Sequence, residues 1–188
     1  QDAIIAARPF AKQVQKILGN LSSADTDFVH PFFETRKTVT SIAIIVISSD
    51  RGLCGAFNTN LLRAAGLRMA ELHKEHPAAT IHVIPVGKRA VNSARKGSED
   101  VVREFNDVFT KLDYSTAVDI AELVSDSFLA QRFDQVELMS NEFVTVMRQE
   151  VRRMQLLPIL PDVKPDKSQH NVEYIFEPTR AEILDTLL

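Results

Sequence analysis

The sequence predicts an α/β fold: a Rossmann-like, mostly parallel sheet flanked by helices, with stubs of two long terminal helices. Three observations carry that expectation. Residues 41–47, Ser-Ile-Ala-Ile-Ile-Val-Ile, are apolar at consecutive rather than alternate positions, as in a strand covered on both faces. Downstream, strand-like and helix-like patterns alternate as far as residue 147, which implies parallel strands joined by right-handed crossovers. A chain of 188 residues also suits one main core with appendages better than two full domains.

Taken in order, Phe10, Val14, Ile17, Leu18 and Leu21 share one face of an amphipathic helix, and Pro9 either begins that helix or kinks one already running. Residues 21–37 have no clear period and form a connector through His30-Pro31. After the central strand at 41–47 and a turn over 51–60, residues 61–76 have a helical pattern with Leu62, Ala65, Met69 and Leu72 on one stripe, ended by Pro77. A second strand follows at 81–86, a short basic helix at 87–95 and a third strand at 101–105. Ile120, Leu123, Val124, Ser127 and Phe128 then line a long helix over 116–133, and 135–147 is a long strand. Pro158, Pro161 and Pro165 mark a solvated loop, Tyr174-Ile175-Phe176 a short strand, and Pro178 opens a helix with Glu182 near its start. The expected organisation is a helical remnant at 1–24, a central α/β domain with its connector at 25–176, and the start of a second helix at 177–188.

Composition narrows the function. A net charge of -3 with both signs mixed along the chain gives no field suited to nucleic acid or an anionic bilayer. The longest apolar run, 42–47, is far below the roughly 20 residues a membrane-spanning helix needs. A lone Cys54 forms no internal disulfide, and no cysteine and histidine cluster has zinc spacing. The start at Gln1, directly in a helical pattern and without methionine, has the look of a trimmed or partial chain.

The stretch Ser48-Ser49-Asp50-Arg51-Gly52-Leu53-Cys54-Gly55-Ala56-Phe57-Asn58 follows the first strand and opens a helix, where α/β proteins usually bind ligands. It has neither the GxGxxG of dinucleotide folds nor the GxxxxGK[ST] of P-loops, only Gly52-x-x-Gly55 with no lysine to grip a phosphate. A structural turn with both glycines at positive φ fits better, and Cys54 reads as a small core thiol. Glu99-Asp100 are solvated charges in a polar turn, while Arg148, Arg152 and Arg153 with Glu150, and Lys88, Arg89, Arg95 and Lys96, are local basic clusters. No residue is assigned to catalysis, to a cofactor or to a metal.

Ser49-Asp50-Arg51-Gly52-Leu53-Cys54-Gly55-Ala56-Phe57-Asn58 closely resembles the signature of ATP synthase gamma subunits of the F-type, which follows the first strand of their central domain. Supporting segments lie in order along the chain. They are Ala7-Arg8-Pro9-Phe10-Ala11, His30-Pro31, Asn141-Glu142-Phe143, Gln149, Gln155-Leu156-Leu157-Pro158, Tyr174-Ile175-Phe176-Glu177-Pro178 and Ile183-Leu184-Asp185-Thr186-Leu187-Leu188. The resemblance covers essentially the whole chain. It departs at the ends, since gamma subunits carry two long helices wound into a coiled coil that is mostly absent here. A single cysteine also excludes the cysteine pair of the chloroplast form, leaving the bacterial form as the nearer likeness.

The resemblance implies a rotor subunit of the central stalk that passes torque between the proton-driven membrane ring and the catalytic head and has no catalytic residues of its own. It further implies alpha, beta and epsilon subunits and the c-ring as partners, no cofactor, and a peripheral place on the cytoplasmic face of the bacterial inner membrane. By the same resemblance Arg51, and Arg63 on the following helix, face acidic loops of the beta subunits, while Gly52, Cys54, Gly55 and Asn58 build the turn. A guanidinium suits such a track because it stays charged and accepts carboxylates in several geometries. The rival reading is a stand-alone Rossmann-like nucleotide-binding module or small enzyme.

Overall fold

The computed structural model describes residues 9, 30–52, 55–110, 112–145 and 148–160. The helix expected over 10–21, Cys54, the strand at 174–176 and the helix after Pro178 lie outside these residues. The chain divides into two units, Gln1–Glu34 with Ile159–Leu188, and Thr35–Pro158. In the first, a 3-10 turn, Pro31–Phe33, is capped by His30, whose Nδ1 accepts from the Phe32 amide at 3.2 Å. The Phe32 carbonyl there accepts from the Ile159 amide at 2.7 Å.

The second unit holds a five-stranded sheet built around β1 (Ser41–Ile47). Its five inner residues are all buried, which explains the unbroken apolar run. α1 (Phe57–Glu75) leads to β2 (Thr80–Val86), parallel to β1 from Ser41↔Thr80 to Ile47↔Val86. α2 (Lys88–Ala94) leads to β3 (Asp100–Val101), parallel to β2. α3 (Tyr114–Leu129), whose first turn is capped by Asp113, then returns the chain to the other side of β1. There β4 (Gln135–Thr145) runs parallel to β1, and β5 (Arg148–Leu157) pairs antiparallel with β4. The order β3-β2-β1-β4-β5 gives the α/β, mostly parallel sheet expected from the alternation of patterns.

Ile42, Ile44 and Val46 pack with Leu61, Ala65 and Leu72 of α1 and Ala90 of α2 in one apolar cluster. With right-handed crossovers, α3 belongs on the opposite face, where Val124 and Phe128 are buried outside that cluster.

Three local expectations need correction. α1 starts at Phe57 instead of 61, and its buried stripe is Asn58, Leu61, Ala65, Arg68 and Leu72, with Leu62 and Met69 only half-buried. The third strand has two residues instead of five, and Phe105 adds only an isolated bridge to Val86. The basic stretch with Arg148, Arg152 and Arg153, expected only as a local cluster after the last strand of the sheet, lies in a further strand, β5, at the sheet edge beside β4. Arg152 and Arg153 are exposed, and Arg152 bonds Glu142 of β4 at 2.6 Å.

Two buried ion pairs tie the layers. Arg68 of α1 grips Glu137 of β4 through two bonds of 3.0 and 2.8 Å, with side-chain exposures of 9% and 4%. Glu137 above all, and Glu75 after it, hold the Arg68 guanidinium more firmly protonated than usual against the opposing effect of burial. Immediately before β4, Asp134 accepts from Arg36 and from the Thr40 amide and hydroxyl, which lie on the approach to β1, and from the Ser41 amide, all within 3.0 Å. Burial pushes this carboxyl up, but the Arg36, Thr40 and Ser41 bonds outweigh it and keep it below the usual carboxylate range.

Candidate functional site

The reversal of strand order at β1 opens a crevice at the carboxyl ends of β1 and β4, the place where doubly wound sheets put their sites. The loop 48–56 that leaves β1 there is locked by its own polar residues. Ser48 Oγ accepts from the Ala90 amide at 2.7 Å, binding the loop to α2. Asp50 uses both carboxylate oxygens, one on the Lys88 amide at 2.8 Å and one on the Phe109 amide at 2.7 Å. Three separate connections are thereby clamped by one side chain. Asn58, buried in the first turn of α1, accepts from the Ser49 amide at 3.1 Å and donates to the Arg51 carbonyl at 3.2 Å.

The glycines serve different purposes. Gly55 does adopt positive φ, at 58°. Gly52 does not, which corrects the expectation of two left-handed glycines; a Cβ there would instead run into the Arg89 guanidinium. The second left-handed glycine is Gly87, at φ 87°, where a Cβ would meet the Ser48 carbonyl. It sits on the neighbouring loop, and only the close approach of the β1 and β2 ends reveals the need for it.

Arg51 and Arg63 are both exposed. Arg51 lines the crevice together with Asp50, whereas Gly52, Asn58 and, on α1, Arg63 do not. Among the described residues no group of three or more His, Cys, Asp or Glu could hold a metal ion, and no helix is long and apolar enough to cross a membrane. Ser48 and Asp50 as loop locks escaped the sequence reading, since their partners lie 42, 38 and 59 positions away.

A family model described as ATP synthase matches residues 1–188. The chain belongs to that ATP synthase family. It is 39% identical over 188 residues to the ATP synthase gamma chain of Desulfitobacterium hafniense, covering 100% of this chain and 63% of the relative. To the ATP synthase gamma chain of Maridesulfovibrio salexigens it is 35% identical over 190 residues, with coverages of 100% and 64%. The chain thus spans less than two thirds of the length of these relatives. Its fold is that of a chain in the cryo-EM structure of the Tetrahymena thermophila mitochondrial ATP synthase central stalk and c-ring, with a TM-score of 0.55, 19% identity, and coverage of 99% of this chain and 85% of that one.

In this member of the ATP synthase family the described residues 48–52 after β1 are tied to α2 and to the segment before α3. Their polar side chains are spent on internal hydrogen bonds, and the guanidinium of Arg51 stands at the surface. An exposed guanidinium can present a positive charge to a carboxylate.

Proposed function

We propose that the chain is the central part of a rotor subunit of the F-type ATP synthase central stalk, passing torque between the proton-driven membrane ring and the catalytic head. The observation that carries this reading is the match along the entire chain to ATP synthase gamma chains. In it the chain is non-catalytic, meets alpha, beta and epsilon subunits and the c-ring, and works peripherally on the cytoplasmic face of the bacterial inner membrane. Residues 1–24 and 177–188 belong to the coiled-coil axle and 25–176 to the central domain. The physical support is stiffness, since a core packed on both faces of β1 and cross-tied by buried ion pairs deforms little under load.

Arg51 and Arg63 are the residues proposed to meet acidic loops of the beta subunits, with Gly52, Cys54, Gly55 and Asn58 shaping the turn that carries Arg51. The test places Arg51→Ala and Arg63→Ala, singly and together, in the full-length subunit reconstituted with alpha, beta and epsilon subunits and the membrane ring. Proton pumping per ATP hydrolysed should fall while the subunit still folds. Unchanged coupling and unchanged assembly in the double variant defeat the contact role.

A further inference from the structure

The crevice at the strand-order reversal encloses about 580 Å³, within the range of small-molecule sites, and the torque reading gives it no task. Its walls are of two kinds. Phe57 and Phe109 contribute apolar ring surface, Phe109 being 45% exposed although its amide is pinned by Asp50. Arg51 adds a positive charge, Asp50 a carboxylate whose two oxygens already accept from the Lys88 and Phe109 amides, and Ser140 and Asn141 a hydroxyl and a carboxamide from the end of β4, where Ser140 pairs with Ile47. The Asn141 carboxamide is itself fixed, donating to the Phe57 carbonyl at 3.0 Å. An exposed phenylalanine held by its backbone at the edge of a cavity has apolar area to gain from a flat guest.

We infer that this crevice binds a small aromatic carboxylate, its ring on Phe57 and Phe109 and its acid group on Arg51. A carboxylate fits better than a phosphate. The loop has no lysine at a phosphate-gripping position, and Arg51 is the one cation among the described residues that line the crevice, a single positive charge for a singly charged acid. The binding needs only this chain, so it stands or falls separately from the rotor reading.

The experiment is a proton–nitrogen NMR titration of the full 188-residue chain with 1-naphthoate, with 1-naphthalenemethanol as the uncharged counterpart and AMP as the nucleotide probe. The expected result is a saturable shift of amides in Ser48–Arg51, Phe109, Thr110, Ser140 and Asn141 by naphthoate, with the alcohol binding about tenfold more weakly. Arg51→Gln should erase the preference for the acid over the alcohol, and Phe109→Ala should weaken both by about tenfold. Both positions are exposed, so each variant should keep the parent's unfolding midpoint. The proposal is overturned by an absence of saturable shifts in the millimolar range, by shifts confined to amides within α1 and α2, or by an acid preference that survives Arg51→Gln. Tighter binding of AMP than of naphthoate at the same amides overturns the carboxylate assignment.

Discussion

Removing the Arg68 guanidinium while leaving Glu137 in place should be among the most damaging single changes in the sheet domain. The two residues are 69 positions apart in sequence, and the pair bridges α1 and β4 with almost no access to water. In Arg68→Met the Glu137 carboxylate stays buried with Gln135 Nε2, at 2.9 Å, as its remaining side-chain donor. Breaking one side of a buried pair costs about 3–5 kcal/mol, chiefly from the stranded charge. Glu71 and Glu75, with exposures of 59% and 51%, return to water and add little. For a chain of this size each kcal/mol is worth about 2–4 °C, so the melting temperature should drop by about 6–20 °C. The double variant Arg68→Met with Glu137→Leu should regain most of the loss, because no charge is then left in the layer. Urea and thermal unfolding followed by circular dichroism measure both. The reasoning fails if Arg68→Met costs less than about 1 kcal/mol, or if the double variant is less stable than the weaker single one.

Three further outcomes follow from the same structure. Asp134 has a folded pKa below its unfolded value, so its contribution is fully present above the unfolded carboxylate range near pH 4 and is lost as pH falls through the lower folded value. Asp134→Ala should therefore cost about 3 kcal/mol at pH 7 and progressively less in acid, read from urea unfolding at pH 7 and pH 3. Gly55→Ala meets open space and should cost only the left-handed strain, about 1–2 kcal/mol. Gly87→Ala adds a collision with the Ser48 carbonyl and should cost about 2–5 kcal/mol; equal losses at the two sites contradict the close approach of the β1 and β2 ends. Asp50→Ala should speed hydrogen exchange at the Lys88 and Phe109 amides together, by about tenfold or more, and exchange that changes at only one of them rules out the shared clamp.

The legibility of each element tracked how much of its environment was local. β1 was readable because a strand covered on both faces must be apolar at every position. α2 and α3 were placed within a few residues, for their periodicity is written in their own side chains. β5 was missed because an edge strand carries charges on its open side, and its arginines look the same in a loop, a helix face or a strand. α1 was begun too late because its first buried residue is Asn58, a polar side chain that the turn recruits for its own hydrogen bonds. Arg68 was left out of the apolar stripe, although its place three residues after Ala65 and four before Leu72 puts it on the buried face. A charge at a core position of a helical pattern was the available sign of a buried partner.

By itself the sequence determined the class of fold, the central strand and the family signature after it, all of which depend on residue types at short spacing. Tertiary structure alone decided which glycines are left-handed, that Asp50 clamps three connections, that Arg68 reaches Glu137, and that Arg51 borders a crevice. The physical reason is range. Propensity and periodicity act over one or two turns of chain, whereas hydrogen bonds, buried charges and close backbone approaches depend on partners that only the packed sheet brings within a few ångströms.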